Sequence, residues 1–507
     1  VAIYVLLVLS AAMLWGAGRL PGRLSHVTGP HQMTAALMLP LIGTYGGNYV
    51  VFALGVMGLM VLAPAIGRAG LIFPAASAIE LRRKLFMLCM PLMPLMVCTI
   101  AVGGLTYAQL TYDHLLGMAF VLAILLAGER LYEPRLAGWD LLFLLMMVVQ
   151  AAMDCRGNNV TYSIRACNQV ILNLGLPYIT ISRAFARSRV PGDLMLSGVL
   201  GVCILALIAS FEAPRHWLLY DTMPQFIGAD PDLSSGYVKQ RGGLLRSRAT
   251  FPESTGLSML LGVQVVILVA LRRHVGSRLA FFTLLAVLGA GMFFTLARIC
   301  YIVVVVGLIA CMVHERKWVG LFKMALAIPL CGSALLMLSH VVPTLAASMG
   351  TGEDAAGSVD YRSELLASGL DLVRDNWLTG LSMTDIYGHL EHLRQGEGII
   401  DLVNQPLTIM MRGGIIGATL YYGMLAGVLA TLFARGPAMR RDNAAAATGC
   451  FAGLIGMMAS LTTTSYGRNE ATYVILLAAG AGLVSRARVV ATRPQPEWTR
   501  HTAASMK

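Results

Sequence analysis

The sequence is short of charge. Only 13% of its 507 residues are Asp, Glu, Lys or Arg, whereas 57% are apolar, and the mean hydropathy is +0.71. An ordinary soluble domain carries about twice that share of charge. This chain therefore has too little polar surface to keep a soluble fold wetted. Disorder is excluded too, because disordered chains are charged and poor in apolar residues. The motifs of soluble catalysis are missing: there is no Walker loop, HExxH, GxSxG or dinucleotide fingerprint. None of the nine cysteines forms a CxxC pair, and no His/Cys cluster has metal-ligand spacing. His389 and His392 lack further ligands and read as ordinary exposed histidines. No convincing internal repeat is present, which speaks against a transporter built from repeats. Residues 1–16 lack a basic n-region and a clear cleavage site, so they read as a first span and not as a signal peptide.

Long apolar runs are what the chain has in abundance. A bilayer-spanning helix needs ~20 mostly apolar residues. Fourteen runs qualify as candidates: 1–16, 34–66, 85–107, 115–127, 139–155, 162–182, 194–210, 256–271, 279–297, 299–313, 324–341, 406–433, 444–461 and 471–485. Several are short or interrupted, so the expected fold is an all-α, polytopic membrane helix bundle of about 12–14 transmembrane helices. This transmembrane domain covers 1–485, and 486–507 is a basic, polar tail read as cytoplasmic.

The net charge of +12 is a topology signal. With the N-terminus inside, the connections 67–84, 128–138, 183–193, 272–278, 314–323, 434–443 and 486–507 hold 23 Lys/Arg against 7 Asp/Glu. The outer connections hold 13 against 18. That is the positive-inside bias of a membrane protein, and nucleic acid is set aside as a partner. Most cysteines fall inside apolar spans and read as small packing residues. Cys155 and Cys167 fall near the outer face, and pairing between them is left open.

Two outer loops are long, 211–255 and 342–405, and loops of more than ~12–15 residues are uncommon unless functional. The second is expected to contain an amphipathic helix at 361–376, with Asp360 as N-cap and Arg362 and Glu364 in the first turn. In the first, Pro252 and Glu253 suit a helix start, with Pro252 in the first turn. Outer arginines run against the charge bias and each invites a reason. Arg248, Arg298, Arg362 and Arg412 are the informative ones. Guanidinium forks match phosphate oxygens and stay charged, so converging arginines would hold a diphosphate. Interfacial snorkelling, or pairing with Glu253 and Asp360, is the competing account.

Several weak motifs, in order and on the outer side, resemble the O-antigen ligase and Wzy-type polysaccharide polymerase superfamily of bacterial inner-membrane glycosyltransferases. The resemblance runs from about 190 to 430. It rests on Ser188-Arg189-Val190-Pro191, a span ending Phe211-Glu212, Arg248-Ala249-Thr250-Phe251-Pro252, and Thr295-Leu296-Ala297-Arg298. Then follow Tyr361-Arg362, Asn376-Trp377-Leu378-Thr379-Gly380, Val403-Asn404-Gln405-Pro406-Leu407 and Gly414-Ile415-Ile416-Gly417.

The resemblance implies transfer of a glycan from a polyprenyl diphosphate-linked donor to a sugar hydroxyl, inverting and without metal or cofactor. Membrane lipid and a chain-length regulator are the further partners it suggests. Arg248 and Arg362 match the positions of the family's diphosphate-contacting arginines and are the expected catalytic arginines, with Arg298 a third candidate for the diphosphate; Glu253, Asp360, Asn404 and Gln405 are the candidates for acceptor and sugar binding. The His usual in the last motif is absent; Val403 and Gln405 stand there, and neither serves as a base near neutral pH. Asp401, nearest in sequence, ranks first as a replacement, with Glu253, Asp360 and Glu364 behind it. Otherwise the base is dispensable because diphosphate departure dominates the barrier, or the chain is inactive or needs a partner. Polymerase is the leading reading, ligation onto lipid A–core the runner-up, and a lipid-linked glycan transporter the rival from another class.

Overall fold

The computed structural model describes residues 75–93, 98–102, 105–126, 129–220, 240–241, 243–339, 354–394, 400–465 and 470–492. The expected spans 1–16 and 34–66 lie outside the described residues, as does most of the first long loop.

Helices dominate, because backbone groups in lipid must pair within their own segment. The first are α1 (Ala75–Cys89), α2 (Tyr112–Leu126), α3 (Ala137–Cys155), α4 (Val160–Val170), α5 (Leu176–Arg187) and α6 (Pro191–Arg215). Then come α7 (Ser254–Ala270), α8 (Arg278–Phe294), α9 (Ile299–His314) and α10 (Trp318–Ser339). The last are α11 (Asp354–Asp375), α12 (Met383–His389), α13 (Gln405–Arg435), α14 (Arg441–Leu461) and α15 (Glu470–Thr492). A π-helical turn, Ile171–Gly175, joins α4 to α5, so the expected span 162–182 is one irregular helix. Among the described residues four helices are long and apolar enough to cross a membrane, and five shorter apolar helices accompany them. The chain is an all-α polytopic membrane protein.

The run 85–107, expected as one span, is divided. Helix α1 ends at Cys89, and β1 (Cys98–Val102) pairs antiparallel with β2 (Leu105–Leu110). Thr99, Ile100 and Val102 are β-branched. The sequence between the strands is Gly103-Gly104, a pair suited to a tight hairpin. An apolar run carries no periodicity that separates a buried strand from a buried helix, which is why it read as a span. Two expected helix boundaries also move. Helix α11 begins at Asp354, so Asp360 lies inside it and is not its cap, and Arg362 and Glu364 are beyond the first turn. Ala355 and Ala356, the best helix formers, carry the helix further back than its apolar stripe suggests. Helix α7 begins at Ser254, leaving Pro252 outside its first turn. At the C-terminal end, α15 runs on to Thr492, into the segment expected as a tail.

Helix α9 packs along α7 and α14, α15 along α5, and α6 along α1 and α8. Small residues let these backbones close up, as in other membrane bundles. A Cβ on Gly456 of α14 would stand 2.5 Å from the Val303 carbonyl of α9. One on Gly291 of α8 would stand 2.6 Å from the Ala206 methyl of α6.

Charged residues sort to two ends of this bundle. Segments grouped as inner by the charge count meet at one of them. Arg83 pairs with Glu80 and with Glu129 at 3.1 Å, Arg187 with Glu133 at 3.2 Å, and Lys84 with Asp193 at 3.3 Å. Arg486 reaches the Ser188 carbonyl there. The outer-loop residues gather at the other end. There Leu365, Ile386, Leu390, Leu393, Leu402 and Met411 form a second, separate core. That core makes α11, α12 and the approach to α13 a folded cap.

Candidate functional site

The first loop is organised by one carboxylate. Glu212, near the end of α6, is fully buried. Its Oε1 accepts from Leu219 N at 3.0 Å. Its Oε2 accepts from Ser247 Oγ at 2.5 Å, Ala249 N at 2.9 Å and Arg248 N at 3.2 Å. These bonds fix the backbone of 247–249, where Ala249 holds a left-handed φ of 45°. A non-glycine residue in that region costs about 1–3 kcal/mol and persists only where its surroundings over-determine it.

The loop then delivers arginines to the C-terminal end of α8. The last carbonyls of a helix lack intrahelical donors and carry the negative end of its dipole, so cations collect there. Ser247 N donates to Phe294 O at 3.2 Å. Arg246 Nε donates to Thr295 O at 3.4 Å, and Arg241 to Leu296 O at 2.8 Å. Leu296, with φ of 51°, makes the tight turn that places Arg298 at the head of α9.

Three segments thereby bring guanidiniums within electrostatic reach of one another. Arg298 is held below the usual arginine range, first by lost hydration against its surroundings and then by the like charges of Arg241 and Arg362. Burial, and after it Arg241, pushes Arg246 down to about 10; Glu253 opposes this shift and Arg298 adds to it. The cluster is thus Arg241, Arg246, Arg298 and Arg362, with Glu253 as its carboxylate. Arg298, Arg362 and Glu253 are exposed, whereas Arg241 and Arg246 are half-buried. Such a cluster is self-repelling until an anion enters it.

Of the arginines singled out from sequence, the structure brings Arg298 and Arg362 together. Arg248 is buried, and its guanidinium bonds the carbonyl of Pro252 at 3.1 Å, framing its own loop. Arg241 and Arg246 were missed. The signal available was Arg246 two residues from Arg248, on a segment that has to meet a helix end. Arg412 lies elsewhere, ion-paired with Asp154 at the outer end of α3. Gln150 donates to Asp154 at 3.3 Å, and Glu470 at the start of α15 is within electrostatic reach of Arg412. Arg412, Gln150 and Glu470 line a cavity near the outer end of the bundle together with Gln405, Tyr421 and Tyr473.

The cap positions the remaining candidates. Tyr361 Oη donates to Asp401 O at 2.9 Å and accepts from Asp401 N at 3.0 Å. Asp401 is exposed. Burial, and then the Asp401 carboxylate, raises the neighbouring Tyr387 phenol above its ordinary range. Asn404 caps α13 through Leu407 N at 3.1 Å, and Gln405 N bonds Thr464 O at 3.1 Å. Asp360 and Glu364 lie exposed on α11. His389 bonds the Asp385 carbonyl at 2.7 Å and His392 meets Ser368 at 3.3 Å. Among the described residues no group of His, Cys, Asp and Glu could hold a metal ion.

The cap is seated on a break in α13. Gly414 has φ of 54° inside the helix, and a Cβ there would stand 2.4 Å from Leu378 main chain. Amides freed by the break bond the crossing segment 377–381: Ile415 N to Trp377 O at 2.8 Å, while Leu381 N reaches Met411 O at 2.7 Å. Arg156, just past α3, donates to Thr379 O at 2.9 Å and Gly380 O at 2.7 Å.

No curated protein matches the chain. A family model described as O-antigen ligase matches residues 281–422, well under half of the chain. The matched stretch holds Arg298, Arg362, Asp401, the cap and the break at Gly414, whereas Arg241, Arg246 and Glu253 precede it. The match supports the O-antigen ligase and Wzy-type superfamily for this membrane protein, and with it a glycosyltransferase-type activity of the O-antigen ligase and polymerase kind.

Proposed function

We propose that the protein is a polysaccharide polymerase of the inner membrane, with both termini cytoplasmic, acting in exopolysaccharide or surface-polysaccharide synthesis. It transfers a glycan from a polyprenyl diphosphate-linked donor to a sugar hydroxyl on the periplasmic side. The observation that supports this reading is the approach of Arg241 and Arg246 to the carbonyls just ahead of Arg298, with Arg362 of α11 within electrostatic reach of Arg298. Guanidiniums fixed around a diphosphate stabilise the charge that grows on it as the glycosidic bond breaks. The hydroxyl attacks the anomeric carbon from the opposite face, so the reaction inverts and the leaving group needs no metal. The hydroxyl proton passes to Glu253, our choice over Asp401 because Glu253 lies within electrostatic reach of Arg246. A chain-length regulator is the partner that would set product size.

The test uses purified protein and a lipid-diphosphate-linked repeat unit, reading polymer ladders and released lipid diphosphate. Arg298→Ala and Arg362→Ala are each expected to lower turnover about 10²-fold or more, with the fold intact. A single transfer that requires added lipid A–core would favour the ligase instead. Variants matching wild type in donor binding and turnover would overturn the arginine site.

A further inference from the structure

We propose that Cys155 and Cys167 form a disulfide bond that braces the outer end of the α3–α4 pair. Their Sγ atoms stand 3.7 Å apart, both residues are half-buried, and they are 12 positions apart in sequence. Cys89, Cys203, Cys300, Cys311 and Cys450 are buried in the bundle. Cys155 closes α3, and Cys167 lies on α4, whose start is fixed by Asn159 capping Tyr162 N at 2.8 Å. A shift of under 2 Å brings the sulfurs to bonding distance.

The position gives the bond its use. The two residues flanking Cys155 both hold distant parts of the chain: Asp154 pairs with Arg412 of α13, and Arg156 holds the Thr379 and Gly380 carbonyls of the cap. A tether at Cys155 therefore steadies the cavity wall and the seat of the cap together. This end of the bundle is the one the charge count assigns to the outside, where disulfides form and persist. In forming the bond, two S–H bonds break and one S–S bond forms. Two protons and two electrons leave, and a disulfide-bearing oxidant of that compartment is reduced to its dithiol.

Native membranes would be dissolved and unfolded in denaturing detergent with excess N-ethylmaleimide and no reductant, so that every free thiol is reached, then reduced and treated with the deuterated reagent. Mass spectrometry reads which label each cysteine carries. The heavy label is expected on Cys155 and Cys167, and the light label on Cys203 and Cys450. Light label on Cys155 and Cys167 would overturn the proposal. In Cys155→Ser, Cys167 is expected to turn light; a heavy Cys167 there means another partner and overturns it equally. Hydrogen exchange over 377–381 is expected to rise in Cys155→Ser, which a pair of thiols merely in contact would not require. None of these readouts depends on glycan transfer, so they stand or fall apart from the proposed activity.

Discussion

At the scale of single residues, Arg246 and Glu253 set the charge balance beside Arg298. Burial and neighbouring cations disfavour the charged form of Arg246, which keeps its proton below about 10 and loses it above. Donor affinity is therefore expected to be flat below about pH 9 on this account. It should fall as pH rises through about 10. Thermal stability is expected to move the other way. The folded value lies below the unfolded one, so charging costs stability, and that cost is lifted as pH rises through the folded value. Titrating donor binding and melting temperature side by side checks both signs, and Arg246→Gln should remove both steps. Glu253→Gln is expected to lower kcat about 10²-fold with a smaller effect on donor affinity, the signature of a lost general base. Asp401→Asn should leave kcat close to wild type. The opposite ranking in a kinetic comparison would return the role to Asp401.

At the scale of elements, the cap is a folded unit with its own core. Leu365 of α11 is 1% exposed and packs with residues of α12 and the start of α13. Leu365→Ala is expected to cost about 2–5 kcal/mol. The loss should fall on the cap alone: hydrogen exchange should quicken over 354–394 and stay unchanged in α6, α7 and α9. The sequence showed this element in part. Leu365, Leu366, Leu370 and Val373 recur at helical spacing and reveal a helix, but its start at Asp354 lies outside the apolar stripe. The break at Gly414 was visible only as a glycine in a motif, because a left-handed turn inside a helix is decided by the chain that crosses it. The hairpin of β1 and β2 was hidden for a different reason, since continuous apolar character suits a buried strand and a buried helix equally.

At the scale of the whole molecule, charge sorting was the most legible property. Connections grouped by counting Lys and Arg meet in space at one end, as Arg83 with Glu129 and Lys84 with Asp193 show. Sidedness is checked with single engineered cysteines. Ser363→Cys is expected to react with an impermeant maleimide in intact spheroplasts, and Arg135→Cys only after lysis. The convergence of Arg241, Arg246, Arg298 and Arg362 was less legible, because three segments far apart in sequence meet only through the carbonyls ending α8 and the register of α11. Glu212, which shapes the loop from beneath, read in the sequence as no more than the end of a span. The crossing at Gly414 has a consequence for how the protein is made. Residues 377–381 leave the ribosome before α13, yet the Leu381 amide and the Trp377 and Leu378 carbonyls bond to backbone that α13 supplies. The cap can therefore be fully seated only after the following helix has been made, so its docking trails its own synthesis.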